Sequence, residues 1–229
     1  MEDILLQLSR WISAILAVSL LMLVSCDKYD QTAAEPLVII LDPGHGGEDP
    51  GAIGGDSVYE KDLNLSICRF MRDELLANGY TVVMTRDEDK MLYTDSENIK
   101  GIRKISDLKN RVKLFNSYGN AVVISIHMNS FSEPKYHGTQ IYCADSEEAR
   151  LLATFVRYEV RREIQPDNRR PIKGSEGIYL LEHSENPTIL VECGFLSNEE
   201  ECAKLSEKDY QKRLSFALVC GIIKYIEEN

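Results

Sequence analysis

Leu37-Val38-Ile39-Ile40-Leu41-Asp42-Pro43-Gly44-His45-Gly46-Gly47 decides how the rest of the chain is read. Five consecutive apolar residues, closed by Asp-Pro-Gly, predict a short strand buried on both faces, as in a parallel sheet. A Gly-rich loop follows at once, and it carries a histidine where a parallel sheet presents its ligands. Working outward, comparable short runs rich in Val and Ile recur at 81–85, 121–126, 139–142, 178–181 and 188–191, each bounded by turn residues. Longer amphipathic stretches lie between them, at 61–78, 107–118, 146–164 and 207–228. The first has Leu63, Ile67, Phe70, Met71 and Leu75 on one stripe and Gly79 just past its end. Alternation of this kind predicts an α/β fold with helices on the sheet faces. The polar stretch 87–107 is long for a connection inside such a domain and reads as a lid, a binding loop or a locally disordered segment.

The flanks and composition bound the function. The chain has 229 residues with 37 acidic against 26 basic side chains, a net charge of −11 and a pI near 4.9. That balance argues against nucleic acid as a partner. The six cysteines form no C-x-x-C pair and mostly sit in apolar runs, so no disulfide framework is expected. Residues 1–26 read as a targeting or anchoring segment: 11–25 is apolar but shorter than the roughly 20 residues that span a bilayer. Its end, Leu23-Val24-Ser25-Cys26, resembles a lipobox, while Glu2 and Asp3 are unlike a basic export signal and suit an uncleaved anchor. Residues 27–36 form a polar tether, and 37–229 form one domain. The expected location is outside the cytoplasm, held at the membrane by a lipid on Cys26 or by the amino-terminal segment itself.

Polar residues after strands that should be buried mark the candidate site. His45 follows the first strand, His127 directly follows Ile126, and Glu192 directly follows Val191. Parallel strands would bring all three to one edge, and the Gly-rich loop can fold Glu60 back beside His45. Taken singly, His45 is a turn residue, His127 a strand-end hydrogen-bonding group and Glu60 a carboxylate favoured by a helix dipole. Glu192 is harder to explain without a metal or substrate, because a carboxylate is seldom left buried without a partner. Together, two imidazoles and one carboxylate match a three-ligand zinc site with an open position, and Glu192 would be the general base. Asp42 and Asn129 are candidates to orient the ligand imidazoles. His137 and His183 lie in polar loops, and the run Arg157, Arg161, Arg162, Arg169, Arg170 reads most simply as a solvated helix face and its exit, with contact to an acidic substrate or a partner as the other reading.

Competing motifs fail: there is no complete dinucleotide fingerprint, phosphate-binding loop, G-x-S-x-G elbow or H-E-x-x-H helix. Four ordered segments, Leu41 to Gly47, Glu60-Lys61-Asp62, Ser125-Ile126-His127-Met128-Asn129, and Val191-Glu192-Cys193-Gly194-Phe195-Leu196-Ser197-Asn198, resemble the zinc-dependent N-acetylmuramoyl-L-alanine amidases of type 3. The resemblance implies one Zn2+ held by His45, Glu60 and His127, catalysis by Glu192, and hydrolysis of the lactyl–L-alanine amide of peptidoglycan. It also implies a twisted, mostly parallel sheet of about six strands flanked by helices. The segment 85–111, His127 to Phe131, Tyr136 to Gln140 and Ile178 to Leu181 are similar to the germination-specific branch that trims spore cortex. Peptidoglycan is the expected partner, and the chain is expected to act as a monomer, with no activator identified. The other readings are a catalytically inactive peptidoglycan-binding protein and a zinc peptidase or deacetylase with the same ligands.

Overall fold

The computed structural model describes residues 35–55 and 57–229, so the targeting segment and most of the tether lie outside the described residues. The strand predicted first is β1, Val38–Pro43, buried at every position. A small antiparallel pair follows, β2 (Ile53–Gly54) and β3 (Val58–Tyr59), and leads into helix α1, Glu60–Ala77. Strand β4, Thr81–Met84, returns parallel to β1. Helix α2, Arg103–Phe115, precedes β5, Ala121–Asn129. Then come β6 (Gln140–Cys143), α3 (Glu147–Glu163), α4 (Tyr179–His183), β7 (Thr188–Phe195), α5 (Glu199–Ser206) and α6 (Lys208–Glu227). The sheet has five strands in the order β4-β1-β5-β7-β6, parallel except for β6, which runs antiparallel to β7.

Period-two alternation assigns each strand residue to a face. Ile39, Leu41, Val122, Ile124 and Ile126 enter a large core with Ile67 and Met71 of α1, Leu152 and Val156 of α3, and Leu218 and Ile222 of α6. Val38, Ile40, Ala121 and Val123 point the other way, onto Val112 and Phe115 of α2 and Leu180 of α4. Continuing the second set along the strands places Asp42, Ser125 and His127 on the α2 side, beyond the apolar packing. The odd and even positions of a single strand therefore divide between core and site.

Three expectations are corrected. The run 178–181 is a helical turn rather than a strand: the amides of Leu181 and Glu182 both bond to the Ile178 carbonyl at 3.0 Å, and Tyr179 stacks on His183 with ring centroids 4.0 Å apart. Four residues are too few for helical and strand periodicity to differ, and losing this run leaves five strands rather than about six. The strands β5 and β7 run on through His127 and Glu192, so these residues are held inside paired strands rather than in loops after them. The polar connection is shorter than it reads, because α2 starts at Arg103 and a capped 3-10 turn, Asp95–Glu97, lies within it.

Candidate active site

Sheet register builds the centre of the site. Ile126 pairs with Val191 and His127 with Glu192 across β5 and β7, which sets the two polar side chains abreast on one face at the carboxyl ends of the strands. His45 arrives from the loop after β1, and Glu60 from the first turn of α1. His45, Glu60 and His127 each offer a ligand atom, and these atoms lie within 4.8 Å of one another, close enough to hold a metal ion. Glu60 Oε1 sits 3.2 Å from His45 Nε2 and 3.0 Å from His127 Nδ1. The same oxygen accepts from the Met128 amide at 3.0 Å, and Oε2 accepts from the Ala52 amide at 2.7 Å. A helix-start carboxylate is thus locked by backbone donors from two other segments.

The loop that presents His45 is strained and tightly braced. His45 adopts φ 61°, a region that non-glycine residues seldom enter and that persists only where surroundings enforce it. Gly46 and Asp49 exchange backbone hydrogen bonds of 3.0 Å in both directions, and Asp49 Oδ2 holds His45 Nδ1 at 2.8 Å. A carboxylate on the far nitrogen fixes the imidazole's orientation and raises its basicity as a ligand. Space is equally constrained. A Cβ added at Gly51, where φ is 67°, would lie 2.4 Å from Glu60 Oε2 and 2.7 Å from the His45 ring, and one at Gly44 would lie 2.2 Å from the His127 ring.

Two buried arginines clamp the loop from behind. Arg111 of α2 donates to the Pro43 carbonyl at 2.9 Å and the His45 carbonyl at 2.8 Å, and it pairs with Asp42 and Asp107. Arg86 donates to the carbonyls of Pro43, Gly44 and Lys61, at 3.0, 2.9 and 2.8 Å. Asp42 is therefore not the imidazole-orienting group expected of it. Its oxygens are taken by Arg111, by Ser125 Oγ at 2.6 Å and by Thr85 Oγ1 at 2.6 Å, so it acts on His45 through Arg111 and the backbone. Burial works against that carboxylate, but Arg111 and the two hydroxyls outweigh it and hold its pKa below the usual range. Asn129 makes no side-chain hydrogen bond to either imidazole; its carbonyl accepts from the Leu196 amide at 2.8 Å. His137 and His183 stand apart from the cluster.

The titratable groups are driven apart. Burial would lower the His45 pKa, yet the hydrogen bonds to Asp49 and Glu60 raise it to about 9. Burial alone would raise Glu60, but the His127 and His45 contacts hold it low. Burial pushes Glu192 up to about 7, with His127 opposing and Glu60 reinforcing the rise. Within this group two buried atoms have no hydrogen-bond partner among the described residues, His127 Nε2 and Glu192 Oε2. Uncompensated polar atoms beside a His-Glu-His group are what a metal and a water would satisfy, so the residues fit a divalent cation. The sequence reading missed Asp49, Arg111 and Arg86. The spacing of Asp49 four residues after His45 was a signal for the first, and that of Asp107 four residues before Arg111 marks a helical ion pair without pointing to the site; the loop carbonyls that Arg86 and Arg111 hold lie about forty or more positions away.

Fold and site together define a mixed α/β hydrolase with a metal-competent group facing a buried carboxylate. Comparison with known proteins gives the family. Residues 39–224 match the family described as N-acetylmuramoyl-L-alanine amidase. The chain is 38% identical over 192 residues to the germination-specific N-acetylmuramoyl-L-alanine amidase of Bacillus subtilis (strain 168), across 83% of this chain and 80% of that protein. Among solved structures it is similar to the CwlD amidase from Clostridioides difficile, solved in complex with the GerS lipoprotein, with TM-score 0.80, 36% identity and coverage of 85% of this chain and 100% of that one. The amidase AmiC2 of Nostoc punctiforme gives TM-score 0.72 at 31% identity over 84% of this chain and 97% of that one. The chain belongs to the N-acetylmuramoyl-L-alanine amidase family and is a hydrolase of that class.

Proposed function

We propose that this amidase uses one zinc ion, held by His45, Glu60 and His127, to cleave the amide between the lactyl group of muramic acid and L-alanine of the stem peptide. The observation that carries the assignment is the set of three ligand atoms within 4.8 Å of one another, with the unpartnered Glu192 oxygen registered beside His127. Zinc, when bound, polarises the scissile carbonyl and brings the pKa of a water down to about 7. The chain's own groups do the rest. Glu192 takes the proton from the attacking water; as the hydroxide adds to the carbonyl carbon and the C–N bond breaks, the same carboxyl returns that proton to the alanine nitrogen. A buried carboxyl near neutrality is suited to both directions of transfer. Asp49 holds His45 in its ligating orientation, and the Arg111 and Arg86 clamp fixes the loop that carries it.

Similarity to the germination-specific enzyme of Bacillus subtilis supports spore-cortex peptidoglycan as the substrate pool. The Clostridioides difficile neighbour's complex with a lipoprotein supports a lipoprotein partner for this chain as well. Residues 1–26 would hold the enzyme at the outer face of the membrane, through a lipid on Cys26 or as an uncleaved segment. Mass spectrometry of sacculi digested by the zinc-loaded protein tests the reaction. Release of intact stem peptides is expected; shortened stems would make it a peptidase, and released acetate a deacetylase.

A further inference from the structure

Positive charge gathers on one surface of a chain whose net charge is −11. Arg157 and Arg161 of α3, Arg169 and Arg170 just beyond it, Lys204 of α5 and Arg213 of α6 line two adjoining cavities of about 1000 and 390 Å3, which meet at Pro166. Of the acids nearby, Glu159 and Glu163 pair with Arg162, Glu133 with Lys135 and Asp209 with Lys212, while Glu201, which lines the larger cavity with Asp167, accepts from the amides of Gly138 and Phe195. Eight cations line the two cavities; Lys135 and Arg162 are paired, and the other six form no ion pair among the described residues. Arg157 and Arg170 each use Nε on a carbonyl, of Arg170 and His137, which leaves their terminal nitrogens unspent. The Nε of Arg161 is buried without a partner. Aromatic rings stand among the cations: Arg170 lies 4.7 Å over Phe195, and Tyr158 is 60% exposed in the smaller cavity.

Unpaired cations crowded onto one surface of an acidic protein are placed to attract anions there. Two separate concavities suit carboxylates that project on flexible stems; a flat anionic bilayer would meet the negative remainder of the surface. The cavities share no residue with His45, Glu60, His127 or Glu192. We propose that this face is a second peptidoglycan-binding site, which grips free carboxylates of uncrosslinked stems along a strand while another stem is hydrolysed. The proposal rests on the amidase reading and adds a strand-holding surface to it. It also gives the arginine run of the sequence a role beyond solvation.

The test compares the zinc-loaded full chain with the triple variant Arg161→Gln/Arg169→Gln/Arg213→Gln. Each is assayed on polymeric uncrosslinked peptidoglycan and on a single disaccharide-peptide. Loss of three rim charges should raise the KM on the polymer about tenfold with kcat unchanged. Kinetics on the single disaccharide-peptide should not move, and the Arg→Lys triple should retain most of the polymer affinity. An unchanged polymer KM in the Gln variant would overturn the proposal. So would an equal rise in KM on polymer whose carboxylates have been amidated, since the contact would then be to the sugars. Binding of the wild type to anionic phosphatidylglycerol vesicles, lost in the Gln variant while the polymer KM stays constant, would assign the face to a bilayer instead. If the wild type releases no intact stem from either substrate, the amidase reading itself fails, an outcome separate from all of these.

Discussion

Glu192 and Asp49 mark the two chemical demands on this site, a proton carrier and a fixed ligand. Glu192→Gln keeps the shape and removes the base, so the variant should bind zinc with wild-type affinity and lose turnover by about a thousandfold or more. Near-normal activity on purified muropeptide would take Glu192 out of the mechanism. Asp49→Ala frees the His45 ring from the carboxylate 2.8 Å away and should weaken zinc binding about 10- to 100-fold, read by competition with a chromophoric chelator. The proton on His45 also makes the metal-free protein pH-sensitive. Its folded pKa of about 9 stands above the ordinary 6.5, so the paired, charged ring contributes stability that is fully present below about 6.5 and is lost as pH rises through 9. Denaturant midpoints of the metal-free protein should fall across that window. Zinc affinity should rise over the same range, because the ring must shed its proton to ligate; a flat affinity would show that His45 is not a ligand.

Elements matter here through the groups they bring to the back of the loop. Helix α2 supplies Arg111, which is 1% exposed and set between Asp42 and Asp107. Arg111→Met would leave two buried carboxylates without their countercharge and should cost about 3–5 kcal/mol in urea unfolding. The same change releases the His45 carbonyl, so zinc affinity should fall with stability; a loss below about 1 kcal/mol would refute the clamp. Strand and helix periods were legible wherever runs were long, as in β1, β5, α1 and α3. They failed at 178–181, where Leu180 and Leu181 are both buried in succession. Short helix α5 and the β2–β3 pair carry too few apolar residues to announce themselves; α5 packs on β7, and β3 leads straight into α1.

At the scale of the whole molecule, the core and the site are separable. The core is closed by strand faces, α1, α3 and α6 on one side and α2 and α4 on the other, and none of His45, Glu60, His127 and Glu192 belongs to it. Stripping zinc with a chelator should abolish hydrolysis yet leave circular dichroism and cooperative unfolding intact, and added zinc should restore activity; unfolding on chelation would show that the metal holds the fold. The primary structure by itself determined the α/β alternation and brought His45, His127 and Glu192 to one edge of the sheet, because apolar runs and their periods are local signals. It also brought Glu60 into the group through a loop of glycines. Only the tertiary structure decided the five-strand order, the strained presentation of His45, the Asp42–Arg111–Asp107 clamp and the joining of six scattered cations into one face. Those features depend on register and on contacts between residues tens of positions apart, which no periodicity along the chain encodes.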